Sequence, residues 1–168
     1  VAVLRPGSTE VEDLTRFILT PLRSNATADF GYHAGSDKVS IRHAGLRGEY
    51  VINPETRLFG GTDRQWLHAD AGSGYEKPDG GTSLGYDRAW LGIQHRVSPM
   101  LSLDAQAGGG SAEGDSRFLY EVGADLQPGD TLTMRLARRQ DLFAVSPLAA
   151  KLGIERRANT LDATWTPD

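Results

Sequence analysis

The chain has 168 residues, a formal net charge of −4, 39% hydrophobic residues, 20 glycines, 8 prolines and no cysteine. That length bounds one domain, and the missing thiols exclude zinc–thiolate sites, disulfide scaffolds and thiol catalysis. The negative charge argues against a nucleic-acid partner, while so much glycine favours bends and bulges over helices.

Residues 1–20 differ from the rest. Thr9-Glu10-Val11-Glu12 fits a capping box, and Val11, Leu14, Phe17 and Ile18 recur at helical spacing. This predicts a short lead-in helix or linker, with β structure over 21–168. The first residues lack a basic region followed by an apolar one, so an exported form needs a signal peptide upstream.

From residue 21 the pattern has a period of two. Ala26, Ala28, Phe30, Tyr32 and Ala34 alternate with Thr27, Asp29, Gly31 and His33. The second strand, about 42–52, sets Ala44, Leu46, Gly48, Tyr50 and Ile52 against Arg47 and Glu49. The third, about 57–68, alternates poorly, because Phe59 and Leu67 share a parity with Asp63 and Gln65. Residues 70–83 are polar and glycine-rich and predict the longest exposed loop. The fourth strand places Ala89, Leu91, Ile93, His95 and Val97 opposite Trp90, Gly92, Gln94 and Arg96. The fifth sets Leu101, Leu103, Ala105 and Ala107 against Ser102, Asp104 and Gln106, with Gly108-Gly109-Gly110 taken as a loop tip. In the sixth, Phe118, Tyr120, Val122, Ala124 and Leu126 oppose Glu121, Gly123 and Asp125. The seventh opposes Leu132, Met134 and Leu136 to Thr133 and Arg135, and a loop around Ser146-Pro147 leads to an eighth carrying Leu161, Asp162, Ala163 and Trp165.

Pro21, Pro54, Pro99, Pro128 and Pro167 fall at the turns of this pattern, 33, 45, 29 and 39 residues apart. Each interval holds two strands of roughly ten residues, the length that crosses a bilayer on a tilt. The expected fold is therefore an all-β, antiparallel, up-and-down transmembrane barrel of about eight strands. Asp29, Arg47, Glu49, Arg96, Asp104, Glu121, Asp125, Arg135 and Asp162 would line its lumen. Tyr50 and Trp165 would mark one aromatic belt, Tyr32 and Phe118 the other. A soluble sandwich or lipocalin-like cup binding a ligand remains an alternative.

His33, His43, His68 and His95 lie on separate strands without ligand spacing, so no metal, cofactor or catalytic residue is assigned. A lipid-modifying enzyme would need Ser40 or Ser83 to meet a histidine near a membrane edge. Arg135, Arg138 and Arg139, with Arg156 and Arg157 across the hairpin, form a basic cluster. It would balance the lumen carboxylates, bind lipopolysaccharide phosphates outside, or line an anion-tolerant exit inside; by parity Arg135 and Arg139 should look inward and Arg138 outward. Gly123 is read as a gap in the lumen wall.

The segment Ala137-Arg138-Arg139 through Val145-Ser146-Pro147-Leu148-Ala149, then Leu152-Gly153-Ile154-Glu155-Arg156-Arg157, Leu161 and Trp165-Thr166-Pro167-Asp168, resembles a strand–loop–strand unit of a known family. These are the outer-membrane porins that follow tetratricopeptide repeats and export exopolysaccharides such as cellulose or poly-N-acetylglucosamine. The resemblance implies a bacterial outer-membrane location, about sixteen strands of which these are half, and a non-enzymatic conduit without cofactors. It also implies membrane lipid, lipopolysaccharide, a polysaccharide substrate, and an inner-membrane synthase or periplasmic repeats as partners. A stop at Asp168 within a turn adds the expectation of a further strand. The runner-up is a closed eight-stranded outer-membrane barrel with a structural or adhesion role.

Overall fold

The computed structural model describes residues 23–129, 131–142 and 144–166. The lead-in helix expected over 10–19 lies outside them. Alternating apolar and polar residues give eight strands: β1 (Asn25–Ala34), β2 (Val39–Asn53), β3 (Thr56–Ala69), β4 (Ser83–Ser98), β5 (Leu101–Ala112), β6 (Asp115–Leu126), β7 (Leu132–Leu142) and β8 (Glu155–Trp165). They form one antiparallel sheet in which each strand pairs only with its sequence neighbours. The sheet curls into a half-barrel, with β1 and β8 as its two edges.

Pro54, Pro99 and Pro128 share one rim, as their spacing predicts. Side chains complete these short turns. Asn53 Oδ1 accepts from Glu55 N at 3.0 Å, and Ser98 Oγ accepts from Leu101 N at 3.1 Å. Such Asx and serine turns occupy the backbone donors that proline-containing bends leave without strand partners.

The opposite rim differs from expectation in two places. Gly108-Gly109-Gly110 is not a loop tip but lies inside β5. A Cβ at Gly108 would stand 2.1 Å from the Ala89 carbonyl oxygen, and one at Gly110 would meet the Tyr86 ring. These glycines therefore let β4 side chains lie against β5. The actual reversal is Glu113-Gly114, both at positive φ (48° and 93°), the two-residue turn whose twist matches paired strands. Second, the β7–β8 connection contains a short helix, α1 (Pro147–Lys151). Ser146 caps it, its Oγ accepting from Ala149 N at 3.2 Å, and Pro147 opens the first turn with a preset φ.

Curvature is visible in contacts that skip strands. Arg135 on β7 reaches Asp104 on β5 at 2.9 Å, and Arg88 on β4 comes within 3.8 Å of Asp141 on β7. A flat sheet would hold these pairs about two and three strand spacings apart. The face carrying these residues is therefore concave. At the loop rim it is packed by Leu67, Leu84, Tyr86, Ala112 and Leu119, together with Leu142, Ala144 and Ala150. The helix α1 rests on β3 and β4 there, and Leu148 N donates to the Tyr75 carbonyl at 3.0 Å.

Candidate functional site

The nine charged residues singled out from the sequence share one face of the sheet, spread over every strand but β3. The register places Asp29 opposite Gly45, Arg47 opposite Gly61, Arg96 opposite Ser102, Asp104 opposite Gly123, and Asp125 and Asp162 both opposite Arg135. All belong to the concave face. Their centre is Arg135, whose Nη1 donates to Asp104 Oδ1 at 2.9 Å and to Asp125 Oδ2 at 2.8 Å, while Nη2 donates to Glu121 Oε1 at 3.1 Å. One guanidinium thus holds three carboxylates, and Gln106 Nε2 adds a bond to Glu121 at 3.3 Å. Three acids against one base leave the spot net negative.

Towards β1 the same face carries Arg57 with Glu49 at 2.7 Å, and Asp29 between His43 at 3.3 Å and Arg47 at 3.7 Å. Arg96 and Asp162 are exposed near the turn rim. Of these side chains Arg47, Glu49, Arg57, Asp104, Glu121 and Arg135 border a cavity of about 600 Å³ that begins at Asn25 and Thr27 on β1.

Gly123 is not a gap. A Cβ there would lie 2.6 Å from Asp104 Oδ1 and 2.9 Å from Arg135 Nη2, because the β5–β7 bridge passes directly over β6 at this residue. The glycine is the floor beneath an ion pair.

Sequence reasoning missed a second ionic layer nearer the loops. Asp63 is only 5% exposed, and its Oδ2 accepts from Arg88 Nη2 at 3.3 Å. Arg88 also leans over the Trp90 ring, 5.3 Å from its centre, and Arg47 lies 5.9 Å from the same ring. Asp63 Oδ1, Tyr86 Oη, Arg88 Nε and Arg139 Nε are buried without protein partners. Buried polar atoms of this kind call for a ligand or water. The irregular alternation of β3 was the available signal, since Asp63 and Leu67 share its inner parity.

The basic cluster divides between the two faces as the alternation of β7 places it. Arg135 and Arg139 belong to the concave face by register, and so does Arg156, opposite Asp141; Arg138 and Arg157 take the convex one. Between the turn rim and a charged loop-side border the outer face is mainly apolar. Phe30 (80% exposed), Leu91 (67%), Leu161 (65%) and Trp165 (70%) stand on it, as do Leu46, Tyr50, Ile52, Ile93, Leu103, Val122 and Leu136. Every exposed large apolar side chain recorded in the strands has this parity. The apolar zone stops at Arg42, Arg64, Asp87, Arg138 and Arg157 on the loop side. On β2 it runs from Ala44 to Ile52, about 26 Å along the strand at ~3.3 Å per residue.

Of the histidines, His68 does meet a serine: its Nδ1 is 3.0 Å from Ser83 Oγ across the β3–β4 pair, and its Nε2 is 3.7 Å from Asp70 Oδ1. The ring is about half exposed on the convex face, at its loop-side border. His95 pairs with Thr56 Oγ1 at 3.0 Å near the other rim. Among the described residues no three His, Cys, Asp or Glu are grouped to hold a metal ion, and no helix is long and apolar enough to cross a membrane.

No protein-family model, curated protein or solved structure matches this chain.

Proposed function

We propose that this sheet is part of the wall of a bacterial outer-membrane barrel, its convex face in lipid and its concave face lining a passive path for an exported polysaccharide. The observation that carries this reading is the segregation of the two faces. Large apolar side chains standing bare in water would drive association, and soluble monomers seldom expose contiguous apolar patches beyond a few hundred Å². Outer-membrane barrels carry such a zone, about 25 Å tall, on the outside and keep the inside polar. Tyr50 and Trp165 near the turns, with Tyr32 and Phe118 near the loops, suit the two aromatic belts.

The concave face suits a sliding neutral or weakly charged polymer. Carboxylates, amides and guanidinium groups spread over seven strands give many weak hydrogen bonds, and conduction requires contacts that release as readily as they form. No catalytic step or cofactor belongs to this reading. In lipid an open sheet edge is untenable, because each unsatisfied backbone group costs several kcal/mol, so β1 and β8 would continue into further strands of a larger barrel. The resemblance of residues 137–168 to exopolysaccharide-export porins supports the substrate class. It also supports a partnership with a synthase or periplasmic repeats. A second reading, a small structural or adhesive barrel, draws on the packed core beneath α1.

The test is insertion. Leu91→Arg, on the outer face in the middle of β4, should cost about 2–4 kcal/mol of folding free energy in phosphatidylcholine vesicles. The same change at an exposed site of a water-facing sheet would stay within about 0.5 kcal/mol. Urea titration of vesicle-folded protein separates the outcomes, and an indifferent Leu91→Arg variant removes the lipid-facing assignment.

A further inference from the structure

On the convex face polar groups converge into a depression at the loop-side border of the apolar zone, over β2, β3 and β4. A cavity of about 500 Å³ is lined there by Ser40, Arg42, Trp66, His68, Ser83 and Gly85, and by Glu113, whose carboxylate is already paired with Lys77 and Lys151. The register explains the convergence. Ser40 stands opposite His68 and Arg42 opposite Trp66 across β2–β3, while His68 stands opposite Ser83 and Trp66 opposite Gly85 across β3–β4. Two rows of same-face residues thus run side by side, with glycine opening the floor of the second. Arg64 completes the rim. It stacks 5.6 Å from the Trp66 ring centre, and its Nη2 reaches the space above Gly85, 3.6 Å from where a Cβ would be.

Both guanidinium groups are held by aromatic rings, Arg42 at 5.9 Å from the Tyr32 centre and Arg64 over Trp66. Stacking of this kind orients the planar fork while leaving its N–H edge available. Asp87 lies 3.6 Å from Arg64 Nε and neutralises part of its charge, whereas the cation beside it on Arg42 has no carboxylate within salt-bridge distance among the ion pairs described. Serine hydroxyls on either side, with an indole wall between two arginines, are the donors that fit the oxygens of a phosphoryl group. Farther along the same face, beyond Ala44 on β2 and beyond Asp87 and Ala89 on β4, Leu46 and Leu91 are bare and apolar.

We propose that Arg42, Arg64, Ser40 and Ser83 form a seat for the phosphoryl group of a membrane glycolipid, whose acyl chains run down the apolar face beneath it. The inference rests on the lipid-facing reading of the convex face. What favours a lipid-borne phosphate over a free one is continuity: the cationic rim sits where the apolar surface ends, so one amphiphile satisfies both. The hydrogen-bonded Ser83–His68 pair then serves to fix a donor in place, with no chemistry required of it.

The experiment uses the chain folded in zwitterionic detergent and titrated with bisphosphorylated lipid A, dephosphorylated lipid A and inorganic phosphate. Wild type should bind the bisphosphorylated lipid at least about tenfold more tightly than the dephosphorylated one, since bonds to a charged group carry this much discrimination. The R42Q/R64Q variant should lose that preference, R42K/R64K should keep part of it, and Arg138→Gln, elsewhere on the same face, should leave it intact. Retention of the preference in R42Q/R64Q, its absence from wild type, or equal affinity for inorganic phosphate would each overturn the proposal. Flotation with phosphatidylcholine vesicles reads the apolar face alone, so a failed seat and a failed lipid-facing surface give different results. Both arginines are exposed, and unchanged heat-modifiable mobility verifies that their variants fold.

Discussion

Arg135 and Gly123 show how closely single residues are coupled inside this sheet. The guanidinium reaches over β6 to Asp104, and only a hydrogen atom on the intervening residue leaves it the space. Read from the sequence, Gly123 looked like an omission in the polar row; the missing side chain is where a bridge from the strand after next must pass. Gly123→Ala should therefore cost about 1–2 kcal/mol, the range for forcing one extra carbon into a filled site. The cost comes from loosening the bridge, so it should nearly vanish in an Arg135→Met background, where Asp104 is free to rotate. A double-mutant cycle by urea unfolding measures this as a coupling energy. Simple additivity of the two changes would show that the alanine acts on the backbone instead.

At the level of elements, the strands were readable and the caps of the loop rim were not. Period-two alternation depends on each strand facing lipid or solvent on one side and its neighbours' polar groups on the other, and six or more residues suffice to read it in β1, β5 and β6. The β3 pattern failed because its inner parity mixes a core leucine, Leu67, with a buried acid, Asp63. The helix α1 escaped because five residues are too few for helical periodicity, although Ser146-Pro147 is a cap followed by a first-turn proline. The Ser83–His68 contact was illegible for a different reason: it depends on the register across a 13-residue loop.

The loop rim is held by charges. Glu113 accepts from Lys77 Nζ at 2.7 Å and lies 3.1 Å from Lys151 Nζ, so the β5–β6 turn clips both the β3–β4 loop and α1. Hydrogen bonds from Lys77 and then Lys151 hold the Glu113 carboxyl below its ordinary value of 4.5. Glu76 is lowered too, first by its own backbone N–H and then by those of Gly72, Gly74 and Ser73. Lys77 is raised above 10.5, chiefly by Glu113. A depressed acid stabilises the fold above its unfolded value and loses that contribution as pH falls through the folded one. A raised lysine does so below 10.5 and loses it as pH rises further. The clip should thus be tight between about 4.5 and 10.5 and open in acid. A nitroxide at Ala71→Cys should be immobilised at pH 7 and lose that order as pH is lowered through the depressed Glu113 value, somewhere below 4.5, and should be more mobile at pH 7 in Glu113→Gln. Spectra that stay unchanged over this titration with Glu113 in place would refute the clip.

At the scale of the whole sheet the decisive feature is that, among the described residues, β1 and β8 do not pair and the sheet stays open. The sequence pattern is silent on this, since eight alternating strands serve equally as a small closed barrel or as half of a large one. A closed eight-stranded barrel has room inside for side chains only, yet the turn-rim half of the concave face opens into a cavity of about 600 Å³ bordered from β1 to β7. In lipid the bare backbone groups of Asn25–Ala34 and Glu155–Trp165 would each cost several kcal/mol, so on insertion both edges must find strand partners, in further strands or in a second copy of the sheet. The expectation is that these edges pair with strands other than each other. Cysteines at Leu136 and Leu161, directly opposed across β7–β8, should cross-link readily under mild oxidation and set the reference. Leu161→Cys combined in turn with cysteine at Ala26, Ala28, Phe30, Tyr32 or Ala34 should give no intramolecular bond, because β8 and β1 are not neighbours. A disulfide between β1 and β8 in protein folded into vesicles would mean that the cylinder closes with eight strands. The polar face would then be a packed interior, too narrow for any polymer, and the structural or adhesive reading would replace the conduit.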